Sequence, residues 1–199
     1  MQEIEHIDSG SQFVSPSPGL NQPRDLDRNL YTTLQQEVDF GAQALARGSA
    51  DLAVTLYQSA LQKLTVHQPF YDHLVHNLLL SYKLLIEKLL KQGDTATSLD
   101  FLNAALRLDI QGEMTRDAQF LRRFGGIFQD LGITFFQHNL NEASLVCCRK
   151  AISVYPTPGA HVNLTNSLVA TGQPAELSDF TTEITPEQNG RHLFELGLQ

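Results

Sequence analysis

No proline stands between Pro69 and Pro156, so that stretch is open to long helices, and the residues that would stop a helix, Gly48, Gly93 and Asn139, recur at wide intervals. Apolar residues return three and four positions apart through Leu30, Leu34, Val38, Leu45, Leu52, Leu56, Ala60 and Leu64. That is the period of a helix, with hardly any of the strict alternation of a strand. The chain is expected to be all-helical, and because breaks and helices come in pairs, an internal repeat is the first thing to look for.

Two segments answer that search. In FGAQALARGSADLAVTLYQSAL, Gly41 precedes a turn at Gly48, and Ala53, Tyr57 and Ala60 follow at helical spacing. In FQDLGITFFQHNLNEASLVCCRKAISVYP, Phe128, Leu131, Gly132 and Phe135 lead to Asn139, and Ser144, Cys148, Ala151 and Pro156 follow. Order and spacing match. Small residues on both helices allow close approach, while Tyr57, Phe128 and Phe135 fill the space to either side.

This pattern resembles the tetratricopeptide repeat family, in which antiparallel helix pairs stack into a short right-handed superhelix. On that resemblance, repeats are expected at about 34–67, 72–112 and 125–158, with a degenerate fourth over 159–180. They lie in a helical domain spanning 29–180. Residues 1–28, rich in Pro, Asn and Asp, are expected to form a flexible polar arm. Residues 181–199 are expected to cap the array or lead into a further domain, with Thr185 as N-cap and Pro186 in the first turn of a last short helix.

The second repeat departs from the plain unit. If Leu78, Leu79 and Tyr82 are its first-helix residues, Gly93 comes about two helical turns late, which lengthens the helix by about 10 Å and keeps its apolar face in phase. Leu84, Leu85, Leu89 and Leu90 continue that stripe, and Glu87 is placed to pair with Lys91. A similar excess, MTRDAQFLRRF with Thr115 as N-cap, precedes the third repeat. The first helices of the second and third repeats are therefore expected to be long and to pack on each other rather than to wall a deeper groove.

By the same resemblance, the first helices line a concave face carrying Val38, Asp39, Ala42, His73, His76, Asn77, Leu80, Lys83, Gln129, Asp130, Ile133 and Phe136. Leu80, Ile133 and Phe136 would form an apolar floor, and Asn77 and Gln129 would hold a partner's backbone. One subclass of the family grips a C-terminal carboxylate with two asparagines and several basic residues. Only Asn77 matches here: Ala42 replaces the other asparagine, and Gly126 and Asp130 stand where lysine and arginine belong. With Asp39 and Asp130 on the face, a neutral or basic partner is expected rather than an acidic one.

Other chemistry is poorly supported. The formal charge of −8, without a Lys/Arg-rich run, argues against nucleic acid as the partner. His73 and His76 beside Asp72 would need a third ligand to hold a metal, and spacing supplies none, so solvated histidines and no metal or other cofactor are expected. Cys147 and Cys148 are expected to be buried thiols in a reducing compartment. The most apolar segment is interrupted by Lys83, Glu87, Lys88 and Lys91, so no membrane insertion and a cytoplasmic location are expected. No GxSxG, P-loop or HExxH occurs, and the chain is not expected to be an enzyme.

The expected function is that of a protein-interaction module, a scaffold, adaptor or assembly factor. Two other readings stand beside it. The ending NGRHLFELGLQ starts a new apolar pattern, which would suit the recruiting domain of a larger transferase-type enzyme. Exposed apolar overhangs on the long helices would suit a homo-oligomer.

Overall fold

Each long first helix ends the same way, and that shared ending sets the frame of the molecule. The computed structural model describes residues 28–64, 71–108 and 118–173. Among them are seven helices and no strand: α1 (Arg28–Ala46), α2 (Ala50–Gln62), α3 (Tyr71–Lys91), α4 (Thr95–Leu106), α5 (Ala118–Gln137), α6 (Asn141–Val154) and α7 (Pro158–Thr171). Helices α1, α3, α5 and α7 each stop at a residue in the left-handed region: Gly48, Gly93, Asn139 (φ 60) and Gly172. At each stop that residue's N–H bonds three residues back and the next N–H bonds five residues back. The pairs are Gly48–Leu45 with Ser49–Ala44, Gly93–Leu90 with Asp94–Leu89, Asn139–Phe136 with Leu140–Phe135, and Gly172–Val169 with Gln173–Leu168. These bonds satisfy carbonyls the helix leaves free and turn the chain back on itself. Asparagine is the side chain that best tolerates this geometry, which is why Asn139 can stand where the others have glycine.

Counting from the left-handed residue brings the pairs into one register. Five residues on stand Ala53, Ser98 and Ser144, and twelve on stand Ala60, Ala105 and Ala151, all buried. Seven residues back stand Gly41, Ile86 and Gly132. This corrects the expectation for the second pair. The turn at Gly93 is on schedule, Tyr82 holds the position of Phe128, and Ile86 replaces the glycine. The added length of α3 therefore lies before Tyr82, at the N-terminal end. It is also not confined to the second and third pairs, because α1 has 19 residues against 21 in α3 and 20 in α5.

Consecutive helices pack in hairpins, α1 on α2, α3 on α4 and α5 on α6, and α2 packs on α3 and α6 on α7. The second and third pairs are joined chiefly through α3 on α5. Close approach needs missing bulk. A Cβ on Gly41 would lie 2.6 Å from the Tyr57 ring, and one on Gly132 would lie 2.9 Å from Cys148 Sγ. Tyr57, Phe128 and Phe135 are fully buried at these crossings. Polar ties fix the pairs as well: Lys63 and Glu37 form an ion pair between α1 and α2, and Gln58 Nε2 donates to Tyr82 Oη at 2.7 Å.

The leucine stripe of α3 belongs to the core. Leu85, Ile86 and Leu90 are buried, and Leu84 and Leu89 pack half-buried against them. An oligomer built on exposed overhangs there loses its basis. Glu87 pairs with Lys83 at 3.8 Å rather than with Lys91. The expected N-terminal arm, the expected Thr115 N-cap, the expected second helix of a fourth repeat and the helix expected from Pro186 all fall outside the described residues.

Candidate functional site

The residues expected to line one continuous face divide into two groups. On the α3–α5 side the face is closed. Lys83 Nζ lies 2.7 Å from Asp130 Oδ2 and also faces Glu87, so the Asp130 charge is already answered. His76 sits half-buried with its ring 6.4 Å from that of Phe120, which begins a row continuing through Phe124 and Phe128 at spacings of 5.8 and 5.7 Å. Burial, with Arg123 and His73 nearby, pushes the His76 pKa down to about 4, so this imidazole is neutral and not freely solvated. His73 is half-buried.

Asn77 and Leu80 are only 7% and 6% exposed. The expectation that Leu80 floors a groove and Asn77 holds a partner's backbone therefore meets an occupied surface. Helix α3 is packed by α2, α4 and α5, and its midsection has little surface left. On α1, Val38 is buried and Asp39 is exposed, with Gln35 Nε2 donating to it at 3.1 Å. Burial, and to a lesser degree Asp39, pushes the Tyr57 phenol up to about 12.

The α5–α7 side is open. Ile133 and Phe136 are 38% and 39% exposed and overhang a cleft of about 160 Å³. Across from them stand Asn163 and Asn166 of α7, with Gln137 at the rim and Gly132, Ser144 and Ser167 at the floor. No ionisable side chain lines it. The floor is a connected set of hydroxyls. Ser144 Oγ lies 2.7 Å from the Gly132 carbonyl and 2.8 Å from Ser167 Oγ, which lies 2.9 Å from the Asn163 carbonyl. Gln129 braces the site, its Oε1 accepting from Thr157 Oγ1 at 3.0 Å and so tying α5 to the N-cap of α7.

Asn163 and Asn166 were missed because their segment matches the expected repeat pattern only weakly, yet a signal exists. Counted back from Gly172 as Asp130 and Ile133 are from Asn139, they hold the equivalent positions. Below the floor, Cys147 and Cys148 are free and buried, and burial pushes both thiols up, away from reactivity at neutral pH. Among the described residues no group of three His, Cys, Asp or Glu side chains is placed to hold a metal, and no helix is long and apolar enough to cross a membrane.

Compared with known proteins, the chain matches no family model and no curated relative.

Proposed function

We propose that this chain is a tetratricopeptide-like interaction module, a scaffold, adaptor or assembly factor, that binds an uncharged stretch of a partner polypeptide in the cleft between α5 and α7. The observation that carries the reading is the pairing of two exposed apolar side chains, Ile133 and Phe136, with an uncharged, amide-bearing wall. An apolar lip excludes water from a bound side chain, and flanking amides can hydrogen-bond a peptide backbone as donor or acceptor. Stacked hairpins supply a rigid platform for such a surface, and the shared turn register supports the repeat reading.

Selection of a random peptide library on the full chain, followed by affinity measurement on Phe136→Ala, tests this. Loss of an aromatic anchor at the centre of a peptide site is expected to weaken selected peptides by ~10–30-fold. Unchanged affinity would remove the cleft from the binding surface, and a strongly acidic consensus would overturn the preference for neutral partners.

A further inference from the structure

Helices α1, α3, α5 and α7 share a position eight residues before their left-handed stops, and on α1 it is bare. Leu85, Leu131 and Leu164 are 6%, 0% and 0% exposed there, whereas Phe40 is 57% exposed. Four residues earlier the pattern repeats: Ser81, Ile127 and Ala160 are buried and Gln36 is exposed. The cause is place in the array. Helix α3 has α2 packed on it, α5 has α3, and α7 has α5 and α6, but α1 has no described helix before it. A terminal repeat ordinarily turns a polar face outward. The exposed Gln36 and Gln43 follow that rule, and Phe40 between them does not.

Two occupants compete for this strip: a second copy of the chain, and the residues that precede α1. A two-fold pairing of α1 on α1 would bring the exposed Asp39 carboxylates of both copies toward each other. It would also rest on one large apolar side chain per copy, about 150–250 Å² for a ring against the roughly 800 Å² a stable partner buries. The preceding chain needs far less contact, because its tether holds it at a high effective concentration.

Reach and chemistry both suit it. Phe40 lies about 18 Å along α1 from Arg28, while the chain from Val14 to Arg28 spans up to about 46 Å. From Ser9 to Pro23 no side chain is charged, and Phe13 and Val14 are the only adjacent pair of large apolar residues in that stretch. Laying such a stretch on a ring framed by glutamines strips no ion of its water. Pro16 and Pro18 favour an extended backbone, whose amide and carbonyl groups the side chains of Gln36 and Gln43 can answer as donor or acceptor.

We infer that Phe13 and Val14 of the chain's own N-terminal segment dock on Phe40 between Gln36 and Gln43, capping the open end of the helical array. This surface is separate from the α5–α7 cleft, and the inference stands or falls independently of the peptide-binding reading.

The test uses the full chain with p-benzoylphenylalanine in place of Phe13, irradiated at low micromolar concentration, with crosslinks mapped by mass spectrometry. Crosslinks within a single chain to residues 36–43 are expected. Phe40→Ser in the same chain should reduce their yield about 5–10-fold, as loss of an aromatic anchor does, with circular dichroism confirming the fold. In the nitrogen-15-labelled chain, Phe13→Ser should shift the side-chain amides of Gln36 and Gln43 and leave that of Gln137 in place. Crosslinks between two chains would give the strip to a second copy and overturn the inference. Crosslinks to Ile133 or Phe136 would place the segment in the α5–α7 cleft and overturn it too, as would absence of crosslinks or a yield indifferent to Phe40→Ser.

Discussion

The interval between α3 and α5 and the interval between α5 and α7 are built from equivalent helix positions and end differently. Between α3 and α5, long first helices lie against each other, an ion pair joins Lys83 to Asp130, and aromatic rings fill the remaining space. Between α5 and α7, Ile133 and Phe136 stay partly exposed over small and amide side chains. Side-chain bulk and charge pairing decide which interval between alternate helices is closed and which stays open.

The sharpest way to break this contrast is to truncate a ring on each side. Phe124→Ala, in the closed half and fully buried, is expected to lower unfolding free energy by about 3–5 kcal/mol in urea titrations. Phe136→Ala, at the open cleft, is expected to cost less than about 1 kcal/mol. Similar losses at both sites would mean that the cleft is core.

Glycines on one helix give a smaller contrast. Gly132→Ala drives a methyl toward Cys148 Sγ and is expected to cost about 1–3 kcal/mol. Gly126→Ala meets no atom within 4 Å and should be neutral or stabilise by about 0.5–1 kcal/mol through helix propensity. Thermal melts should therefore show a lowered midpoint for Gly132→Ala and an unchanged or raised one for Gly126→Ala.

Acidification probes the closed half. His76 has a folded pKa of about 4 against an ordinary value of 6.5, so the unfolded chain binds its proton first. Stability from this group is complete above about pH 6.5 and is lost as pH falls from there toward 4. The loss is expected to reach about 1–3 kcal/mol. In His76→Leu this part of the pH dependence of urea midpoints should vanish; an unaltered slope would place the loss elsewhere.

The smallest effect belongs to the ion pair. Lys83 is mostly covered but the Asp130 side chain is 43% exposed, so a Lys83→Met, Asp130→Asn double-mutant cycle should give a coupling of only about 0.5–1 kcal/mol. A larger value would mean that this contact, more than the aromatic row, closes the face.

Much of the fold was legible because its rules are local. A left-handed stop requires Gly or Asn, so Gly48, Gly93 and Asn139 could be read as turns without any knowledge of what packs where. Small residues at Ala53 and Ser144 could be read as crossings for the same reason. Ile86 misled the reading of the second pair, because a bulky residue at a crossing hides the register that glycine displays. Only the left-handed φ at Gly93, taken with the bonds around it, restores that register.

The site was less legible. Asp39, His73, His76, Asn77, Leu80, Lys83, Gln129, Asp130, Ile133 and Phe136 were grouped by the resemblance to the repeat family, and a resemblance implies only which side of a helix a residue occupies. Whether that side stays open depends on what arrives from elsewhere in the chain. Helical content, the places where helices turn and the small residues at their crossings were set by short stretches of sequence, since backbone geometry and side-chain volume act within a few residues. The burial of Asn77 and Leu80, the neutralisation of Asp130 and the pairing of α5 with the asparagines of α7 came from packing between distant segments, because solvent exposure and charge are properties of a neighbourhood rather than of a residue.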